Sequence, residues 1–139
     1  MNFTKIVAVA TLVGMLGTAA VVAQDATAAD DSKAWFGSSS VLTQQTGKGL
    51  YEAVCASCHM PEGQGAVGAG AYPALADNAM LESPDYPIYL IVHGQKAMPP
   101  LGGIMNDEQI AAVVNYIRTS FGNSFTEYPA TAETVAAAR

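Results

Sequence analysis

The cluster Cys55-Ala56-Ser57-Cys58-His59 constrains this chain more than any other feature, because it holds both of the cysteines in 139 residues and one of the two histidines. A disulfide across so short a loop removes almost no entropy from the unfolded chain, so a structural bridge does not account for the pair. A redox dithiol of the thioredoxin kind sits in a βαβ unit, and no strand pattern surrounds these residues. A zinc site needs four ligands at finger or ribbon spacing, which two cysteines with His59 and His93 do not supply. Either the spacing is a chance occurrence or another chemistry must justify the pair.

The pattern has the form C-x-x-C-H, the attachment signature of c-type haem. Two thiols one helical turn apart can add to the two vinyl groups on one porphyrin edge, and the imidazole that follows is carried beneath the iron. In bacteria this attachment requires export, and the N-terminus independently points the same way. Lys5 precedes an apolar run, Ile6 to Leu16, and small residues end in Val21-Val22-Ala23-Gln24, the form of a secretory signal peptide over residues 1–23. An uncleaved anchor is the rival, but Thr11, Gly14, Gly17 and Thr18 dilute a segment only marginally long enough to span. A cut after Ala28 is the rival cleavage position.

Cleavage would remove Lys5 and no acid, leaving five basic against twelve acidic residues, a net charge of −7. That excludes nucleic acid and anionic lipid as natural partners and favours a complementary protein surface. Residues 24–42 read as a flexible leader interrupted by Trp35-Phe36, residues 43–122 as the ordered domain and residues 123–139 as a C-terminal tail. A first helix is predicted from about Thr46 to Cys58, with Leu50, Tyr51, Val54 and Cys58 on one stripe. Residues 61–72 form a Gly-rich loop, through which the backbone can approach a flat ligand closely. A phosphate cradle is discounted there, because no strand precedes the glycines and no Lys-Ser or Lys-Thr follows them.

Ser83-Pro84 starts a second helix that ends at Gly94. Asn106, with Gln109 three residues on, caps a third carrying Ile110, Val113, Val114 and Ile117, which Gly122 stops. An Ala-rich stretch from Thr131 could form a terminal helix, unstable alone. No run alternates long enough to propose a sheet, so the expected fold is all-α, with three main helices and long loops.

A sixth iron ligand is available in Met98, whose soft thioether would stabilise ferrous iron. Axial ligand identity moves haem potentials over about 0.8 V. Met98 lies in the turn Gln95-Lys96-Ala97-Met98-Pro99-Pro100, where the prolines fix the backbone that follows. His93, Met60, Met80 and Met105 are the alternatives, and a methionine that merely fills core is the bland one.

Gly47, Tyr51, C-A-S-C-H, Pro73 with Leu75, A-M-P-P at 97–100 and D-E-Q-I-A-A-V-V-N-Y-I-R at 107–118 together resemble the class I monohaem cytochromes c, over about residues 46–121. The resemblance implies a small cytochrome c fold around one covalent haem c, with Tyr51, Pro73 and Leu75 joining Cys55, Cys58, His59 and Met98 as cofactor-binding residues. It further implies that Gly47 and Tyr51 lie where the first helix crosses the last near Tyr116, and that the Pro73 carbonyl accepts from His59 Nδ1. Met60 departs from the pattern, since glycine is common after the ligand histidine.

With His59 and Met98 both on iron, no substrate position remains, so the expected role is electron transfer and not catalysis. The chain is expected to be periplasmic, with no membrane span after cleavage. It would take electrons from a flavin- or quinone-dependent dehydrogenase and pass them to an oxidase or another cytochrome; residues 121–139 and Trp35-Phe36 are the expected contacts. A haem enzyme or gas-binding cytochrome with an open iron is the alternative, as is a fixed subunit of a dehydrogenase complex. The apo-chain is expected to be largely unfolded, since the porphyrin would supply much of a small core.

Overall fold

The structure, a computed structural model, describes residues 36–38, 41–68 and 70–139. The expected signal peptide and most of the leader, Trp35 included, lie outside the described residues. Two short strands, β1 (Phe36–Ser38) and β2 (Val41–Leu42), pair antiparallel where the leader was expected to be structureless. The physical reason lies in Leu42, which is buried in the core and whose carbonyl accepts from the buried Gln109 side chain at 2.9 Å.

The first helix, α1, is continuous from Gly47 to His59 but has three parts: Gly47–Leu50, a π-helical stretch Tyr51–Cys55, and Ala56–His59. Thr46 caps it by accepting from the Gly49 amide. In the wide turn the Ala56 amide reaches back five residues to the Tyr51 carbonyl. Widened turns of this kind are rare and often mark functional sites.

Between α1 and the next helix the chain makes a hairpin, β3 (Ala66–Val67) with β4 (Ala71–Tyr72), and a 3₁₀ turn at Ala79–Leu81. These ribbons are the only sheet among the described residues, each too short to show an alternating pattern, and the fold is a mostly helical one. Helix α2 (Asp85–His93) starts with Ser83 accepting from the Asp85 amide and stops at Gly94, with φ +73.

Helix α3 (Asp107–Arg118) carries both bonds of the Asn106/Gln109 capping box. Its stripe, Ile110, Val113, Val114 and Ile117, forms the centre of the core, each side chain worth roughly 1.5–3 kcal/mol when fully buried. It ends at Arg118, four residues before the Gly122 expected to stop it. The amide of Phe125 bonds the Arg118 carbonyl and turns the chain away.

Helix α1 crosses α3 at Gly47, where a Cβ would overlap the Ala112 carbonyl and lie 2.6 Å from Tyr116 Cβ. Only glycine allows this crossing. The last helix, α4 (Ala132–Ala137), buries Val135 completely and lies on α3, so the polar tail is folded back onto the domain. Asn115 fixes it with a reciprocal pair of bonds to Ala130, at 2.8 and 2.9 Å. Among the described residues no helix is long and apolar enough to cross a membrane.

Candidate haem site

The end of α1 delivers the three residues of the motif together. Cys55 and Cys58 are free thiols, both half-buried, and no disulfide joins them. Burial, with the neighbouring Cys58 as a smaller cause, pushes the Cys55 thiol up to about 12. Among the described residues no group of three or more His, Cys, Asp and Glu side chains could hold a metal ion.

His59 follows, half-buried, with its Nδ1 2.9 Å from the Pro73 carbonyl. A carbonyl can only accept, so Nδ1 carries the proton and Nε2 keeps its lone pair for a metal. Three features bring Pro73 there. Gly65, at φ +67, leaves no space for a Cβ, which would meet Pro73 C and Ala74 N at 2.8 Å. The Gly65 amide bonds the His59 carbonyl at 3.0 Å. The Gly63 carbonyl accepts from both Leu75 and Ala76. Leu75 itself is half-buried against the core, and its carbonyl accepts from Asn123, whose amide also holds the Ile117 carbonyl at the end of α3.

Tyr51 is completely buried and donates from its hydroxyl to the Met60 carbonyl at 2.6 Å, while its ring meets Tyr116 and Phe121 at 5.7 and 4.8 Å. Desolvation is the first cause that raises its pKa to about 12. Met60 ends α1 at φ +66 and ψ 158, a region that is essentially glycine's own. The family pattern has a physical reason here: the chain must turn back at this residue so that the glycine loop can return to His59.

Met98 is half-buried and packs against the core from the segment after α2. Its backbone exchanges two 2.9 Å bonds with Gln95 around a tight turn, with Lys96 at φ +53. That turn lies on Gly94, where a Cβ would sit 2.7 Å from the Met98 carbonyl and from Pro100 N. The alternatives are placed otherwise. Met105 is core, 3% exposed; Met80 is 59% exposed on the 3₁₀ turn; and Met60 adjoins His59 in the chain. His93 Nε2 lies 2.7 Å from the Ala138 carbonyl, with the ring against Tyr89.

The donor set fits a covalently attached haem: two unbridged thiols, an imidazole with one nitrogen already engaged, and a half-buried thioether on a fixed turn. Sequence reasoning missed the positioning roles of Gly65, Gly94 and Asn123. The glycines gave a signal only as loop formers, and Asn123 gave none.

Comparison with known sequences bears on the same segment. Residues 43–117 match the family described as "Cytochrome C oxidase, cbb3-type, subunit III". The chain is 38% identical over 103 residues to the fructose dehydrogenase cytochrome subunit of Gluconobacter japonicus, a match covering 63% of this chain and 21% of that subunit. It is 37% identical over 90 residues to the cytochrome c subunit of the alcohol dehydrogenase (quinone) of Komagataeibacter europaeus, covering 55% and 19%. Cytochrome c6 of Parathermosynechococcus lividus is 35% identical over 75 residues, covering 51% of this chain and 83% of that one. The chain therefore spans about a fifth of the dehydrogenase subunits and most of the small cytochrome.

Proposed function

Because this chain belongs to the cytochrome c family, with haem c as its cofactor and electron transfer as its role, we propose that it carries single electrons through a haem attached at Cys55 and Cys58 and ligated by His59 and Met98. The observation that carries this reading is the 2.9 Å contact between His59 Nδ1 and Pro73 O. It commits one imidazole nitrogen to the protein and leaves the other for iron, as a fixed axial ligand requires. Bound haem supplies a one-electron ferric/ferrous couple.

The chain's own residues do the rest. Cys55 and Cys58 would hold the haem covalently, and the Pro73 carbonyl fixes the His59 ring and raises its basicity. The turn on Gly94 holds the Met98 sulfur. With His59 and Met98 both committed to iron, no site would be left for a substrate, and the protein would act as a carrier and not an enzyme. His93 is disfavoured as a ligand by its bond to Ala138. The exported form is the one after residues 1–23 are removed, in the periplasm. Residues 24–42 form its leader, 43–122 its cytochrome domain and 123–139 a tail packed upon it.

Its donor is a flavin- or quinone-dependent dehydrogenase and its acceptor an oxidase or another cytochrome. The likeness to dehydrogenase cytochrome subunits supports the first assignment. A fixed place in such a complex is the second reading. Copurification with a dehydrogenase at constant stoichiometry would select it over a free carrier. The ligand assignment is tested with Met98→Ala and His93→Ala. Met98→Ala is expected to keep its covalent haem, become high-spin and lose a substantial fraction of the ~0.8 V that axial ligands can command. His93→Ala should leave spectrum and potential unchanged; the reverse outcome would overturn the assignment.

A further inference from the structure

Residues 63–76 contain no ionisable side chain other than Tyr72, in a chain with eighteen basic and acidic residues, six Lys plus Arg and twelve Asp plus Glu. The segment is bounded by two exposed carboxylates, Glu62 and Asp77, neither of which is in an ion pair among the described residues. Its two ends are clamped to His59. The Gly65 amide holds the His59 carbonyl on one side, and the Pro73 carbonyl meets the His59 ring on the other.

Between these ends the β3–β4 hairpin stands away from the core, with Val67 94% exposed and Tyr72 38% exposed. Ala71, Pro73 and Ala74 beside them are exposed as well. Folding gains nothing from this. Val67 forgoes the stabilisation that burying a valine brings. Exposed strand edges are ordinarily protected by lysine or proline within the strand, and neither β3 nor β4 has one. A lone surface valine would need no explanation; a contiguous apolar run suspended from the histidine ring does.

We propose that this hairpin, led by Val67 and Tyr72, is a docking surface for a redox protein whose contact face is apolar and rimmed by lysine or arginine. The proposal rests on the electron-carrier reading above. Charge complementarity identifies the partner. Glu62 and Asp77 flank the uncharged run and attract a cationic rim at long range, while the hairpin itself makes the dry contact. One hydrogen bond, from His59 to the carbonyl next to Tyr72, then separates the contact strand from the imidazole.

The test uses the haem-loaded protein on gold electrodes coated with a mixed monolayer of methyl- and ammonium-terminated thiols, which reproduces an apolar face with a cationic rim. Placing either charge at a desolvated contact costs enough that Val67→Asp and Val67→Lys should each slow interfacial electron transfer by about tenfold. Visible spectrum and midpoint potential should stay those of the wild type, because Val67 is outside the core. Glu62→Gln with Asp77→Asn should weaken adsorption at about 10 mM salt and make no difference at about 1 M, where screening extends only about 3 Å.

Val67 variants that transfer electrons at the wild-type rate would overturn the proposal. So would opposite effects of aspartate and lysine, which would make the surface a purely electrostatic one. A protein with no reversible wave even through a soluble mediator would sink the carrier reading, and this proposal with it.

Discussion

The two candidate ligands, His59 and Met98, are held by different means. His59 is fixed through its own side chain, whose ring nitrogen is bonded to the Pro73 carbonyl of a separate loop. Among the described residues no hydrogen bond reaches the Met98 sulfur, and Met98 is fixed through its backbone, by the two bonds to Gln95 and by the seat that Gly94 provides. A side-chain anchor survives small backbone movements. A side chain positioned only by its turn follows every change in that turn, so the Met98 side should be the first to fail.

Gly94→Val should break the comparison most severely. It places a branched side chain at φ +73, where even a Cβ lies 2.7 Å from the Met98 carbonyl. The expected cost is about 3 kcal/mol or more, from strain and overpacking together. The haem should stay attached while the spectrum turns high-spin and the potential falls; a low-spin Gly94→Val protein would show that the turn does not hold the sulfur.

Gly65→Ala attacks the other side. It should push Pro73 off His59, cost about 1–3 kcal/mol, and keep the low-spin state because Met98 is untouched. A less basic imidazole stabilises ferric iron less, so the midpoint potential should rise. Titration against a reference couple reads that sign directly.

Met60→Gly sharpens the contrast in the opposite direction. Relief of the strained φ of +66, less the extra freedom of glycine in the unfolded chain, should stabilise the protein by about 1 kcal/mol. Thermal unfolding of the haem-loaded protein measures it.

The last effect is confined to alkali. Burial raises the Tyr51 hydroxyl from 10.0 to about 12, so the folded state favours the protonated form. Its contribution is complete below pH 10.0 and is lost as pH rises towards 12. The slope should be at most about 1.4 kcal/mol per pH unit. Tyr51→Phe should lose that alkaline limb, together with about 1 kcal/mol for the bond to Met60.

What sequence could reveal divides along similar lines. Asn106 with Gln109 and Gly94 act on their own helix ends, so local chemistry alone predicts those boundaries; at Ser83-Pro84 the same chemistry starts α2 one residue early, since Pro84 and not Ser83 is its N-cap. The stripe Ile110, Val113, Val114 and Ile117 predicts the core for the same reason, and C-x-x-C-H brings its own thiols and imidazole together because its spacing encodes its geometry. The rest depends on partners distant in sequence. Arg118 reads as an ordinary basic residue at a helix end, yet it is 1% exposed and donates to the carbonyls of Leu81, Glu82, Glu127 and Tyr128. The wide turn at Tyr51–Cys55 leaves no mark in a 3.6-residue stripe. The β3–β4 hairpin consists of two-residue strands, too short for any periodicity. The tail read as marginal is stable because Ala130, Val135 and Arg139 find partners on α3 and its approach, among them Asn115 for Ala130 and an ion pair of Arg139 with Asp107 at 2.5 Å.

Arg118 has no carboxylate within salt-bridge distance among the described residues, and burial lowers its pKa. Its guanidinium is solvated entirely by backbone oxygens, two from residues 81–82 and two from residues 127–128. A protease that trimmed the chain before residue 127 would therefore strip away half of that shell and leave a cation stranded in the interior. Damage at the extreme end would be felt some forty residues upstream, where the chain enters α2.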